Sequence, residues 1–429
     1  MKLAVIGGGW AGLAAAVTAV RAGHAATLFE ASRQFGGRAR TLAIALPDGR
    51  DALLDNGQHI LIGAYSQTLA LMRDVDVDPA QVLHRLPLAL RFPDGDGLAL
   101  PDWAAPLDAM WGIATARGWS WRDKLSLLRH AAAWQLRGFA CDDRHTVADL
   151  CVALSPVVMR ELVEPLCVAA LNTPADQASA RVFLRVLRDS VFGPSQGAWG
   201  ASNLLLPKVD LGRVLPTAAT AWLQAHGAEV VVGARVQAIS RADQGWTVDG
   251  RAFDAIVLAC PSMEAQRLVA GAGIDAQDWT ARAGSLAYEA IATVYTTDGP
   301  SLALPMLALR SDAQSPAQFV FDRGQLGGPA GVLAWVASAS HGDIATLEAK
   351  VLDQAAGLGW QVKPLRTVIE KRATFACTPA LRRPATRIAP GLVAAGDYVE
   401  GPYPATLEGA VRSAQAAVTA LSAAGRTAG

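Results

Sequence analysis

The chain has 429 residues, 38 basic against 38 acidic side chains, no formal net charge, and a 52% hydrophobic composition. Such a length suits two or three domains or one interleaved architecture, and balanced charge without long like-charge runs gives nucleic-acid binding no support. The five cysteines (Cys141, Cys151, Cys167, Cys260, Cys377) are scattered and form no C-x-x-C pair, so neither a metal centre nor a disulfide framework is expected, and they read as buried thiols in a reducing compartment.

At the N-terminus, Leu3-Ala4-Val5-Ile6 reads as a short apolar strand. Gly7-Gly8-Gly9-Trp10-Ala11-Gly12 follows, then an Ala-rich helix to about Ala22, which Gly23 stops before a second strand ending at Glu30. Gly7, Gly9 and Gly12 fit G-x-G-x-x-G, and each glycine has a task. Gly7 permits the tight strand-to-helix turn, Gly9 lets a pyrophosphate approach bare backbone, and Gly12 lets helix and strand pack closely. The helix N-terminus supplies N–H groups and partial positive charge. Glu30, about twenty residues on, is placed to accept hydrogen bonds from ribose hydroxyls. These residues together predict a dinucleotide-binding βαβ unit.

Gln34-Phe35-Gly36-Gly37-Arg38 comes directly after. This second glycine pair with its arginine resembles the G-G-R segment that lines the FAD diphosphate in flavoproteins of the glutathione-reductase and amine-oxidase type. The resemblance favours FAD over NAD and assigns Gly37 and Arg38 to the cofactor; a guanidinium pairs phosphate oxygens bidentately and keeps its charge. Asp55-Asn56-Gly57-Gln58-His59-Ile60-Leu61-Ile62-Gly63-Ala64-Tyr65 then resembles the stretch beside the flavin in carotenoid desaturases. It implies backbone contacts from Gly57 with the isoalloxazine ring. His59 reads equally as a catalytic group there or as a hydrogen-bonded core histidine.

Beyond residue 66 the pattern changes. Leu86–Leu100 reads as a hairpin around Asp94-Gly95-Asp96-Gly97, and Pro101–Arg137 as helix crowded with Trp103, Trp111, Trp119, Trp121 and Trp134. Those tryptophans suit either helix packing or an apolar, membrane-facing edge. Glu164, before Pro165, is either a pocket carboxylate or a surface residue. Residues 228–239 resemble the superfamily segment that returns the chain to the FAD domain, which implies Val236 at the adenine edge. Phe253–Pro261 is a buried parallel strand. Between about 285 and 375, β-prone runs without intervening helices, save one near Ile344–Leu358, predict an antiparallel sheet. Gly391–Tyr398 is a strand ending in Gly396-Asp397, and Pro404–Ser413 opens a last helix. Asp397 is expected to accept a ribityl hydroxyl, and the helix head at Thr406 to stabilise charge on the flavin.

Over essentially the whole chain these motifs, with P-L-C-V-A-A-L-N at residues 165–172, resemble the squalene-associated FAD-dependent desaturases. One departure is Ser413-Ala414, where relatives often carry S-G. The fold implied is α/β: a discontinuous Rossmann-like FAD-binding domain (1–75, 205–284, 385–429) interleaved with an α+β substrate domain (76–204, 285–384). The resemblance implies reductive removal of an allylic hydroxyl from hydroxysqualene, an apolar C30 isoprenoid. It also implies an electron donor that the sequence does not name, and contact with upstream enzymes of squalene synthesis. His59 and Glu164 are the candidate proton donors. A carotenoid or phytoene desaturase and an FAD-dependent amine oxidase stay open as alternatives. With no secretory leader and no spanning segment read in the sequence, the expected location is cytoplasmic, peripheral on the inner membrane face.

Overall fold

A computed structural model describes residues 1–193 and 199–426. The expected domain ranges also include 194–198 and 427–429, which lie outside the described residues.

Alternating strands and helices build a six-stranded sheet in the order Glu229–Val232, Ala25–Glu30, Lys2–Ile6, Ala255–Leu258, Leu392–Ala394, Arg387–Ala389. All neighbours pair in parallel except the last, an antiparallel edge. Central strands of such a sheet are covered on both faces, which is why Leu3–Ile6 and Ala255–Leu258 are apolar without alternation and buried throughout. Helix Trp10–Arg21 lies on one face, buried along most of its length because helices Leu407–Arg426 and Pro216–Ala225 cover it in turn. Its alanines keep that three-helix layer thin.

The second sheet is antiparallel throughout, in the order Met306–Ala308, Phe319–Asp322, Leu333–Ser338, Tyr288–Thr297, Lys363–Phe375. Side chains alternate between its faces. Val294, Val320, Leu333 and Trp335 pack toward helix Ile344–Gly357, while Tyr295, Phe319, Phe321 and Met306 join the large core shared with the parallel-sheet half. Thr293 belongs by parity to this second, inward face.

The hairpin forms as Ala89–Arg91 and Gly97–Ala99. The helical stretch after it breaks into Leu107–Thr115 and Trp121–Leu136 instead of running on. Gly118 adopts φ +76°, the Arg117 backbone bridges to Gly97, and Ser120 with Asp123 forms a capping box that starts the second helix afresh. Helix Glu164–Leu171 is preceded by a wide π-turn at Met159–Val163. Pro165 has no N–H to give, so the regular ladder cannot pass through it. The turn sends Glu161 inward and leaves Glu164 exposed.

Candidate active site

The glycine loop is built from backbone against backbone. Gly7 has φ +111°, and a Cβ there would lie 2.7 Å from the Ala259 carbonyl oxygen; a Cβ on Gly12 would lie 1.7 Å from that of Gly7. Gly9 caps the first helix with no side-chain bond and no acid in the first turn, so the helix head keeps its N–H groups and positive end. Gly36 N–H donates to the Gly8 oxygen at 2.9 Å, bringing the second glycine pair over the first. A Cβ on Gly37 would meet the Gly9 Cα at 3.1 Å. Glu30 is pinned at its strand end: Gly8 N–H donates to Oε2 at 2.6 Å and Ser32 N–H to Oε1 at 2.7 Å.

Arg38 and Asp397, 359 positions apart, form an ion pair at 2.5 Å, and the guanidinium also donates to the Ala373 oxygen at 2.7 Å. Burial works against the charge, but Asp397 outweighs it and holds Arg38 above its ordinary pKa. Asp397 therefore orients the arginine expected at the diphosphate, a link the sequence does not announce. Gly396 N–H donates to Ser413 Oγ at 2.7 Å, and Ala414 is fully buried, so the Ser413-Ala414 departure fits without strain. Thr406 stands at the head of the last helix. Its hydroxyl caps the last helix by accepting from Gly409 N–H at 2.9 Å, leaving only backbone groups of that turn for a ligand. Val236 is buried and its carbonyl is taken by Arg267 at 2.8 Å, so among its backbone groups the N–H is the one left to offer.

Around Gly57 (φ +142°) the two halves meet. His59 donates from Nδ1 to the Gly57 oxygen at 3.0 Å, the only assignment a carbonyl partner permits. Burial, aided by the Arg38 charge, lowers its pKa against the pull of that bond. A Cβ on Gly57 would sit 3.9 Å from both His59 Cε1 and Thr293 Oγ1. Thr293 Oγ1, Gln58 Nε2, Arg323 Nε and Asp55 Oδ2 are all buried without a partner among the described residues. Arg323, 2% exposed, donates to Gln58 Oε1 at 3.2 Å. Burial pushes the Asp55 carboxyl up to about 6, while the Leu211 N–H at 2.7 Å and the Arg323 charge hold it down and Asp210 pushes with burial. Bare glycine backbone flanked by unpaired buried donors and acceptors suits a ligand that is planar and rimmed with polar atoms.

Not all expected residues converge. Glu164 is exposed beside Arg160 and Asp176, and no bond links it to the Gly57–His59 loop. Partial desolvation raises its carboxyl, the direction a proton donor needs, but the π-turn has pointed it outward. Trp119 and Trp134 are buried, Trp119 donating to Glu161 Oε2 at 3.0 Å, so neither belongs to an exposed edge; Trp103, Trp111 and Trp121 are exposed. Sequence reasoning passed over Thr293 and Arg323, which carry no local signal. It also passed over Gln58, which lies inside the recognised segment.

Beside the loop, strand Leu61–Ile62 pairs with Leu204–Pro207, which pairs with Leu83–Leu86. Leu204 and Leu86 line an apolar cavity of about 280 Å³ together with Leu100, Leu304 and Met306.

Residues 10–422 match the family of flavin-containing amine oxidoreductases. The chain belongs to that family. It is similar over 98% of its length to a hydroxysqualene dehydroxylase of Rhodopseudomonas palustris, 28% identical, covering 98% of that protein. A hydroxysqualene dehydroxylase of Sinorhizobium fredii is 25% identical, with 97% and 98% of the two chains covered. Among solved structures, an oxidoreductase from Methanosarcina mazei superposes with a TM-score of 0.72 at 16% identity, over 98% of this chain and all of that one. The chain is thus an FAD-dependent oxidoreductase of mixed α/β fold.

Proposed function

We propose that this flavoenzyme reduces hydroxysqualene to squalene. The observation that carries the reading is full-length similarity to hydroxysqualene dehydroxylases, and the apolar cavity beside the flavin loop agrees with it. The cofactor half is taken as residues 1–75, 205–284 and 385–429, with Gly7, Gly9, Gly12, Glu30, Gly37, Arg38, Gly57, Val236, Gly396, Asp397 and the Thr406 turn holding FAD. Reduced flavin, when bound, supplies a hydride to the allylic carbon as the C–O bond breaks, and with one proton the oxygen leaves as water. An external reductant must restore the two electrons.

The chain's own part is to orient and to dry the site. Leu86, Leu100, Leu204 and Met306 exclude water that would otherwise capture an allylic cation. His59 is the residue we assign beside the reacting carbon. With Nδ1–H given to Gly57, the neutral ring presents an acceptor at Nε2, so it releases a proton only after first gaining one. Its pKa lies below the usual 6.5, and turnover should rise as pH falls through that lowered value. His59→Gln should show a flat profile. We drop Glu164 from this role because of its exposure. An insoluble substrate further supports work at the cytoplasmic face of a membrane, and no helix among the described residues is long and apolar enough to cross one.

The test is anaerobic incubation of chemically reduced, flavinated protein with hydroxysqualene, followed by product analysis. Squalene should form in step with flavin oxidation. Unchanged hydroxysqualene overturns the reading; oxidation of phytoene with an acceptor, or peroxide from amines, would put one of the two alternatives in its place.

A further inference from the structure

The helices Leu107–Thr115 and Trp121–Leu136 carry an outward face that no described residue covers. On the second helix Trp121, Leu125, Leu128, Ala132 and Leu136 are exposed at positions i, i+4, i+7, i+11 and i+15, a single stripe. That is the reverse of a normal surface helix, which turns such a stripe inward. Trp103, Leu107, Met110 and Trp111 extend the patch across the first helix, the two indoles 5.4 Å apart. Contiguous exposed apolar side chains of this size mark a contact surface.

The charges around the stripe decide its partner. Arg117, Arg122, Lys124, Arg129 and Arg137 all border the two helices. Of the acidic groups in this stretch, Asp102 pairs with Arg85, Asp108 is buried near Ser202, Asp123 sits in the Ser120 capping box and Asp142 pairs with Arg144, which leaves Asp143 past the end of the second helix. Asp94 and Asp96 at the hairpin tip are paired with Arg310. A second copy of the chain across a two-fold axis would set these cations against each other. An anionic lipid surface complements them, with indoles at headgroup depth and arginines reaching phosphates.

We propose that this two-helix face docks on a bilayer containing anionic phospholipid. The first of these helices also packs against the wall of the apolar cavity: a Cβ on Gly112 would lie 3.0 Å from Leu100 Cδ1, and Leu100 lines that cavity. Docking therefore puts the bilayer next to the cavity wall. The docking itself does not depend on the reaction; only the idea that lipid-dissolved substrate enters here rests on the proposed function.

Flotation of the holoenzyme with phosphatidylcholine vesicles, with and without about 30% phosphatidylglycerol, is the test. Binding should be about ten-fold stronger with the anionic lipid and should fall with salt. Trp111→Ser/Trp121→Ser/Leu125→Ser/Leu128→Ser should lower binding about ten-fold or more. Arg122→Glu/Arg129→Glu should remove the preference for anionic lipid. Retained flavin absorbance verifies the fold of each variant. Should they misfold, quenching of the wild-type tryptophans by brominated lipid reports the same contact without any substitution. Wild type that fails to float, variants that float as well as wild type, or unquenched tryptophans overturn the proposal. Wild type that stays off the vesicles but dimerises through this face overturns it in favour of a protein interface. Turnover of detergent-dispersed hydroxysqualene separates the two claims. If it is absent in every variant and in wild type, the reaction is wrong and the flotation result stands.

Discussion

The glycine loop at residues 7–12 and the tryptophan run at 103–134 are the two most conspicuous compositional features of the chain, and they are held by different physics. In the loop, every constraint is local and steric. The space beside Gly7 and Gly12 is filled by backbone, so residue type alone fixes what can stand there. In the tryptophan run, residue type fixes almost nothing. Trp119 and Trp134 are buried, while Trp103, Trp111 and Trp121 face outward. What sorts them is helix phase and one distant partner, Glu161, brought in by a π-turn forty residues later. A constraint of the first kind can be read from sequence. One of the second kind is visible only once the chain has closed on itself.

The sharpest way to break this comparison is Gly12→Ala. Its Cβ would lie 1.7 Å from the Gly7 oxygen, so the helix must leave the strand. We expect no bound flavin and a stability loss above about 4 kcal/mol, in the range reserved for gross misfit. Urea unfolding and the visible flavin spectrum measure both. A yellow, stable Gly12→Ala protein would mean that the loop tolerates what the geometry forbids.

The counterpart in the second region is Glu161→Ala. The carboxylate is 5% exposed and accepts from Trp119 at 3.0 Å and Arg310 at 3.3 Å. Removing it orphans the buried Trp119 indole N–H, while the exposed Arg310 keeps Asp94 and Asp96, so the expected loss is about 2–3 kcal/mol. Flavin content of the folded fraction should be normal, because the damage lies away from the cradle. Loss of flavin in parallel with stability would mean that the damage travels through the core that the two regions share.

The same division explains how much was legible. The parallel sheet, its first helix, the closing Gly396-Asp397 strand and the antiparallel run from 288 to 375 all follow from patterns of two, of 3.6, and of unbroken apolar residues. The partnership of Arg38 with Asp397 did not follow, since it spans 359 positions. Thr406 was readable as a helix head, yet whether its hydroxyl served the helix or a ligand was not. Glu164 and Glu161 are three residues apart in one apolar stretch. Only the effect of Pro165 on the helix ladder decides which of them points inward.

A smaller effect is expected at Glu30, within the legible half. Glu30→Ala removes a carboxylate that accepts from Gly8 and Ser32 and is placed for ribose hydroxyls. The loss of charged hydrogen bonds should weaken FAD by about 2 kcal/mol, roughly thirty-fold in Kd. Reconstitution of the apoprotein followed by flavin fluorescence gives the number. An unchanged Kd would remove Glu30 from the cofactor site.

The most gradual effect, spread over a range of pH, belongs to the seam, at Asp55, where both regions contribute: Leu211 donates to its carboxylate, Tyr295 Oη–H donates to its carbonyl at 2.9 Å, and Arg323 lies close by. Burial raises its folded pKa from 3.8 to about 6. Between those values the folded state holds more protons than the unfolded one, so stability falls as pH rises. The slope is at most about 1.4 kcal/mol per pH unit. Asp55→Asn keeps the acceptor for Leu211 and cannot ionise, so that contribution to the slope should vanish while the fold persists. Urea denaturation of both proteins at pH 4, 5, 6 and 7 tests this, with the difference between them widening in favour of the variant as pH rises. A difference that stays constant with pH would mean that Asp55 is solvated at the seam, and that water enters where the two regions meet.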